Sequence, residues 1–167
     1  MDILLGFVVI TGSLILQTAV FSRLPLLNGT ADLVMLVVIA WGLNDRVKAH
    51  WEWALLAGLF VSFASAMPIV TPLLGYLFVM AFVRLLHSRV WQVPVLAMIL
   101  AGFTCTIAYL MYTMITLQLI KGTTLDWTAG LYRVILPSAL WNVFLSIPVY
   151  TLVKDMSNWV YRVEEAE

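Results

Sequence analysis

The last long apolar stretch of the chain, Arg133 to Lys154, carries hydrogen-bonding side chains at four-residue intervals. They are Ser138, Asn142, Ser146 and Tyr150. On a helix this spacing places all four on one face. A buried hydroxyl or amide without a partner costs free energy, so a helix in lipid turns such a face towards other helices. We expect this polar stripe to hold a helix bundle together, and a small-molecule pocket is its alternative use.

Side chains for other chemistry are few. Ionisable groups inside a bilayer are expensive and usually functional, yet Asp32, Arg84 and Arg133 all fall at predicted helix ends. Cys105 is the single cysteine and lies in an apolar segment, so the chain has no intramolecular disulfide. Both histidines fall in charged loops without a carboxylate or cysteine at metal-ligand spacing. No nucleophile and base pair is recognisable, so we expect no catalytic, metal or cofactor site.

Composition identifies the class of protein. Hydrophobic residues make up 63% of the 167 residues and charged residues 11%, compared with about 25% charged in soluble domains. Nine basic and nine acidic side chains cancel, which gives no electrostatic reason to expect nucleic acid as a partner. The sequence therefore predicts an all-α integral membrane protein with a single transmembrane domain, residues 1–167.

Apolar runs separated by turn signals predict six transmembrane helices. The predicted spans are 3–21, 31–43, 53–67, 69–86, 94–120 and 134–153. The uncharged run from Trp53 to Val83 is too long for one span, since a span needs about 20 residues. Pro68 and Pro72, followed by Gly75, indicate a turn between two short helices within that run.

The distribution of basic residues predicts the orientation. With six spans, one side holds Arg46, Lys48, Arg84, Arg89, Lys154 and Arg162, and the other side holds Arg23, Lys121 and Arg133. Positive charge favours the cytoplasmic side, so both termini are expected in the cytoplasm. Treating the run from Trp53 to Val83 as one span divides the same charges four against five, without a clear preference.

Two helix faces are candidates for contact with a partner's transmembrane helix. The first is a ridge of small residues at four-residue spacing, which permits close helix contact. Its members are Ala54, Gly58, Ser62 and Ala66, and we expect Gly58 and Ser62 to make the contact. The second is a polar row in the fifth span, Tyr109, Thr113 and Thr116.

Three stretches resemble the rod shape-determining MreD family of bacteria. ADLVMLVVIAWGL is similar to the family's Pro-Asp-Leu followed by an apolar helix, with Asp32 matching and Ala31 replacing the proline. AGLFVSF is similar to the family's Gly-Leu-Leu-x-Asp segment, with Ser62 where an aspartate is common. LPSALWNVFLSIPVY is similar to the family's last helix, where Pro137, Asn142 and Pro148 match.

The resemblance implies a non-catalytic scaffold of the cell-elongation machinery, the elongasome, in the bacterial cytoplasmic membrane. MreD proteins associate with the bitopic protein MreC and, through it, with the MreB cytoskeleton, RodA and the elongation-specific penicillin-binding protein. They support lateral peptidoglycan synthesis and rod shape. The implied six-helix bundle is similar to the substrate-binding subunits of energy-coupling-factor vitamin transporters.

Such a vitamin-binding subunit is the alternative function. It would hold its ligand near the outer face, among polar and aromatic side chains. Its first helix would usually carry small residues at four-residue spacing, and the row of Gly6, Ile10, Leu14 and Thr18 is a poor match. A small lipid-modifying enzyme is disfavoured because acid and base groups are missing from the apolar spans.

Overall fold

The computed structural model describes residues 2–20, 23, 27–44, 49–87, 93–122 and 126–160, and this part of the chain is all-helical, as expected. The α-helices are α1 (Asp2–Ala19), α2 (Leu33–Gly42), α3 (His50–Ala64), α4 (Val70–His87), α5 (Pro94–Lys121), α6 (Trp127–Gly130) and α7 (Leu136–Val160). A π-helical segment, Leu131–Ile135, joins α6 to α7 without a break.

Three helical stretches in the described ranges are long and apolar enough to cross a membrane, judged by length and composition. They are Val70–His87, Pro94–Ile120 and Trp127–Val160. The apolar helices Leu4–Ala19 and Leu33–Gly42 are shorter. Four of the basic residues used to predict orientation, Arg46, Lys48, Arg89 and Arg162, lie outside the described residues.

Helix α2 is the centre of the molecule. All ten of its residues are buried, and it contacts α1, α3, α4, α5 and α7. Its sequence, LVMLVVIAWG, is apolar on every side, which is the pattern of a helix surrounded by others. At 1.5 Å per residue it is only about 15 Å long. The other helices therefore surround this short central helix.

The surrounding helices form two pairs and one outer helix. Helices α3 and α4 pack as an antiparallel hairpin, and α5 packs along α7. Helix α1 contacts only α2 and α3 among the described elements.

An aromatic stack fixes the contact between α2 and α3. The rings of Trp41 and Trp53 stack with centroids 3.8 Å apart, and both side chains are fully buried. A Cβ on Gly6 of α1 would lie 2.8 Å from Trp53 Cε2, so only glycine leaves room for this indole. The six-span arrangement predicts that Trp53 lies near the inner membrane interface, and at that helix start its indole packs between Gly6 and Trp41. Trp51 and Trp159 are exposed.

Candidate functional site

The site begins with a backbone carbonyl that loses its regular α-helical donor. In a regular α-helix the carbonyl of Arg133 would accept from the amide of residue 137, but Pro137 has no N–H. The helix is π-helical from Leu131 to Ile135, directly before this proline. The amide of Asn28 donates to the Arg133 oxygen at 3.0 Å. A connection more than a hundred residues earlier in the chain thus supplies the missing donor.

Residues 28–32, which we call the strap, lie along the polar face of α7. The amide of Thr30 donates to Ser138 Oγ at 3.1 Å, and the amide of Asp32 donates to Asn142 Oδ1 at 2.9 Å. Alternate amides of the strap therefore bond successive polar positions of the helix. Two residues of extended chain advance about 6.6 Å, and four residues of helix advance about 6 Å. This match explains why a stripe with four-residue spacing can hold an extended segment.

Gly29 brings the strap against α7. A Cβ at this position would lie 2.6 Å from the amide nitrogen of Ser138 and 2.9 Å from the carbonyl oxygen of Val134. Both are backbone atoms of the helix, so they cannot move aside as a flexible side chain could. Glycine at position 29 is therefore needed for this close contact.

The strap delivers Asp32 to the start of α2, where its carboxylate has two partners. Asp32 Oδ1 accepts from the amide of Met35 at 3.0 Å, as a helix cap does. The same oxygen accepts from the hydroxyl of Tyr76 on α4 at 3.0 Å. Gln17 of α1 provides the acceptor for the amide of Val34 at 3.2 Å. The first turn of the central helix is thus satisfied by side chains from its neighbours.

Asn142 connects this cap to α5. Its Nδ2 donates to Thr106 Oγ1 at 2.7 Å, and the Thr106 hydroxyl donates to the carbonyl of Gly102. Ser146 Oγ donates to the carbonyl of Asn142 at 2.6 Å. Asn142 is fully buried, and both the oxygen and the nitrogen of its side-chain amide form hydrogen bonds to other segments of the bundle. We call Gln17, Asp32, Tyr76, Thr106 and Asn142 the polar junction.

All four residues of the polar stripe face the interior of the bundle. Ser138, Asn142 and Ser146 are buried, and Tyr150 packs against the core. Two of the four bond the extended strap, a role that helical spacing alone does not indicate. The residues that resemble MreD motifs meet here as well: Asp32, Pro137 and Asn142 all take part in the strap contacts. Pro148 lies further along α7, outside the junction.

Three members of the small-residue ridge, Ala54, Gly58 and Ser62, are buried on α3, whereas Ala66 lies beyond the end of this helix and is exposed. A Cβ on Gly58 would lie 2.8 Å from Leu73 Cα of α4. Ser62 Oγ donates to the carbonyls of Gly58 and Ile69, at 2.6 and 3.0 Å. Ala54 is fully buried. Gly58 and Ser62 therefore serve the packing of α3 on α4, and a partner helix has no access to them in this arrangement.

The polar row of α5 lies beside an open groove. The groove has a volume of about 860 Å³ and lies between α4 and α5. Tyr109 lines it, together with Leu74, Phe78, Phe82, Met111, Tyr112 and Ile115. The hydroxyls of Thr113 and Thr116 donate to carbonyls of their own helix, both at 2.8 Å.

Tyr109 joins the groove to the polar junction. Its ring meets that of Tyr76 edge-on, with centroids 5.6 Å apart. A Cβ on Gly75 would lie 2.5 Å from Tyr109 Cε2, so glycine allows the ring to lie directly on α4. The groove and the junction are therefore separated by one pair of tyrosine rings.

A smaller set of polar contacts closes the opposite end of the bundle. Asn44 Nδ2 donates to Ser157 Oγ at 2.6 Å. His50 Nε2 lies 3.3 Å from the Asn44 carbonyl and 3.5 Å from Arg84 Nη1. His50 was predicted to lie in a loop, but it begins α3 and is buried. The contacts of His50 bring together Asn44 after α2, the start of α3 and Arg84 near the end of α4.

Asp126 caps α6 outside the apolar helices. Its Oδ1 accepts from the Thr128 hydroxyl at 2.6 Å and from the amides of Thr128 and Ala129 at 3.0 and 3.2 Å. The Thr128 hydroxyl, followed by these amides and the charge of Arg133, lowers the pKa of the Asp126 carboxyl from its ordinary value of 3.8. Each of these groups favours the ionised form.

Within the described ranges, no group of three or more histidine, cysteine, aspartate or glutamate side chains could hold a metal ion. No family model, no curated protein and no solved structure matches the chain.

Proposed function

We propose that this chain is an MreD-like, non-catalytic scaffold of the rod-shape complex in the bacterial cytoplasmic membrane. One observation carries the proposal: Asp32, Pro137 and Asn142, which resemble two separate MreD motifs, meet through the strap. The Asp32 amide donates to Asn142 Oδ1, and the strap fills the gap that Pro137 leaves in the hydrogen bonds of its helix. These motif residues serve to hold helices in place, as a scaffold requires.

The proposed arrangement has six transmembrane helices, formed by α1 to α5 and α7, with both termini in the cytoplasm. The basic residues predicted on the cytoplasmic side support it. The bundle supports it too, because a short apolar rod with a buried polar cap is stable in lipid only when other helices surround it.

The proposed partner is an MreC-type bitopic protein, with its transmembrane helix in the groove between α4 and α5. RodA, the elongation penicillin-binding protein and MreB would be linked indirectly. Helices in lipid associate by close packing and a few hydrogen bonds. The groove offers apolar side chains for packing, and the hydroxyls of Tyr109 and Tyr112 lie on residues that line it. Of the residues predicted for partner contact, Tyr109 lines this groove, whereas Gly58 and Ser62 are packed between α3 and α4.

The groove also bears on the vitamin-binding alternative. A ligand pocket combines an apolar wall with a few polar groups that fix the ligand's orientation. Here the wall consists mainly of aliphatic and aromatic carbon, and the polar junction lies behind Tyr76 and Tyr109. This lining favours a helix or another apolar partner over a vitamin.

Site-specific photocrosslinking tests the proposal. We would place a photoreactive amino acid at Phe78 or Ile115, both exposed in the groove, and at Phe144, which is 79% exposed on α7. We expect crosslinks to the transmembrane helix of the co-expressed MreC-type protein from the two groove positions and not from Phe144.

A second measurement separates the two functions. Purified protein would be titrated with a panel of vitamins by calorimetry. Tight stoichiometric binding of one vitamin, or equal crosslinking from all three positions, would overturn the scaffold proposal.

A further inference from the structure

The groove between α4 and α5 runs lengthwise along both helices. Its α4 side includes Leu74, Phe78 and Phe82 at four-residue spacing, and its α5 side extends from Thr104 to Ile115. From 104 to 115 the helix rises in eleven steps of 1.5 Å, or about 16 Å. A groove of this length offers contact to about three turns of a helix that lies along it.

The middle of α5 lies in hydrocarbon wherever a bilayer surrounds this helix. Helix α5, Pro94–Lys121, has 28 residues, and a transmembrane helix needs about 20 to cross the hydrocarbon core. Every stretch of about 20 consecutive residues within α5 includes residues 102–113. Tyr112 therefore lies within the hydrocarbon for any position of α5 along the membrane normal.

The ring of Tyr112 extends further towards the middle of α5. Side chains on a helix lean towards its N-terminus. A Cβ on Gly75 of α4 would lie 3.7 Å from Tyr112 Cε1, and the same position touches the ring of Tyr109, which precedes Tyr112 by three residues. Tyr112 thus packs across the groove onto α4, away from the nearer end of its own helix.

The threonine hydroxyls in this part of α5 are satisfied by the helix itself. Thr104, Thr106 and Thr113 each donate to the carbonyl four residues earlier. A short β-hydroxyl can make this bond, but a phenol is too long and too rigid to do so. The tyrosines of the groove therefore depend on other segments for their hydrogen bonds.

The Tyr112 hydroxyl forms no hydrogen bond with any part of the chain that the structure describes. Its side chain lines the groove and is partly exposed. A hydroxyl that is transferred from water to an apolar environment without a hydrogen bond costs free energy. An occupant of the groove that supplies an acceptor would remove this cost.

Only some occupants can supply an acceptor at this depth. Acyl chains carry none, and lipid headgroups lie outside the hydrocarbon core. A transmembrane helix can present a side-chain oxygen at any depth. Asn, Gln, Ser and Thr do so without the larger cost of a charged side chain.

We propose that the Tyr112 hydroxyl selects the occupant of the groove, a partner's transmembrane helix that carries Asn, Gln, Ser or Thr opposite Tyr112. This inference rests on the proposed function and adds to it the recognising residue and the chemistry that it recognises. The aliphatic and aromatic side chains of the groove supply contact area for any apolar helix. Tyr112 supplies the discrimination, because a helix without an acceptor leaves its hydroxyl unpaired.

Leucine-rich transmembrane peptides test this selection. The full-length protein would be reconstituted in vesicles of dioleoyl phosphatidylcholine, and energy transfer from its seven tryptophans to a dansyl group on the peptide would report binding. Each peptide carries one Asn, placed at one of seven consecutive positions, and the reference peptide carries only leucine. A low ratio of peptide to lipid limits self-association. We expect the best Asn peptide to bind about three-fold more tightly than the reference, as an average interhelical hydrogen bond of about 0.6 kcal/mol implies.

Two variants assign the preference to one hydroxyl. Tyr112→Phe should abolish the preference for Asn and leave binding of the all-leucine peptide unchanged, which also shows that the groove is intact. Tyr132→Phe removes the hydroxyl of a tyrosine that is 65% exposed in the π-helical segment, and the three-fold preference should remain. Equal binding of the Asn and leucine peptides by the wild type, or a preference that persists in Tyr112→Phe, would overturn the proposal.

The peptides share no sequence with an MreC-type protein, so this result is separate from the crosslinking result. Crosslinks from Phe78 and Ile115 without a Tyr112-dependent preference would support the scaffold and reject selection by Tyr112. The reverse pattern would reject the MreC-type partner and support selection by Tyr112.

Discussion

Replacing Asn142 with leucine tests whether the polar junction holds the bundle together. Asn142 is fully buried and joins the Asp32 amide to the Thr106 hydroxyl. Leucine has a similar size but leaves the Asp32 amide without an acceptor, at a cost of about 1–3 kcal/mol. The Thr106 hydroxyl keeps its bond to the Gly102 carbonyl. Losing the bond that it accepts from Asn142 should therefore cost only as much as an average interhelical hydrogen bond, about 0.6 kcal/mol.

The expected total is a loss of about 2 kcal/mol in the free energy of unfolding. This corresponds to a roughly thirty-fold increase in the unfolded fraction, since each 1.4 kcal/mol is a factor of ten. Unfolding would be followed by circular dichroism as the fraction of sodium dodecyl sulfate in mixed micelles is raised. Comparing variants under the same conditions removes the uncertainty of the absolute scale.

Two further variants serve as comparisons for the loss of stability expected in Asn142→Leu. Thr106→Val removes the acceptor of the Asn142 amide and also the hydroxyl that donates to the Gly102 carbonyl. Because it leaves the buried Asn142 Nδ2 unpaired, it is expected to cost about 1 kcal/mol. Thr151→Val removes an exposed hydroxyl that bonds its own helix, and we expect a change within about 0.5 kcal/mol. If Asn142→Leu were as mild as Thr151→Val, the junction would not stabilise the bundle and the argument above would be refuted.

Three other predictions concern the strap and the α6 cap. Gly29→Ala should cost about 1–3 kcal/mol, because its Cβ would collide with the backbone of α7. Gly12→Ala, where a Cβ meets nothing within 4 Å, should instead stabilise by up to about 1 kcal/mol in the same unfolding assay. Pro137→Ala restores an N–H that competes for the π-helical carbonyl, so amide hydrogen exchange at Asn28 should accelerate, and unchanged exchange would count against the strap contact. Because the pKa of Asp126 is lowered, the stability of its cap is present above the ordinary value of 3.8 and lost as pH falls through the folded value. Protection of the first α6 amides, measured relative to the intrinsic exchange rate at each pH, should therefore be lost only below about pH 4, and a loss of protection near neutral pH would contradict this.

Local patterns predicted several features of the site. Prolines and turn signals indicated the break between α3 and α4, and the carboxylate of Asp32 was expected at a helix start, where it caps α2. The apolar runs predicted the helices because burial in lipid or protein favours a backbone that satisfies its own hydrogen bonds.

Features that depend on distant neighbours could not be predicted in this way. The stripe on α7 indicates only that its partners are buried, and an extended strap satisfies that condition as well as a helix does. The ridge through Gly58 and Ser62 has the same limitation, because small residues permit close contact with any helix. Asp32 was placed at a helix end in the sequence, but the side chain turns inward because Tyr76 provides a donor there. Those outcomes depend on which surfaces meet after folding.

The burial of α2 has a consequence for how the chain is made. Its ten residues are too few to span a bilayer alone, and two amides of the strap that leads into it find their acceptors on α7. During synthesis, more than a hundred residues must follow before Ser138 and Asn142 emerge from the ribosome. Until then the second segment lacks its final environment, so a truncated or stalled product exposes unpaired polar groups in the membrane. A chain missing its last helix should therefore be recognised and degraded by membrane proteases even though most of its apolar segments are intact.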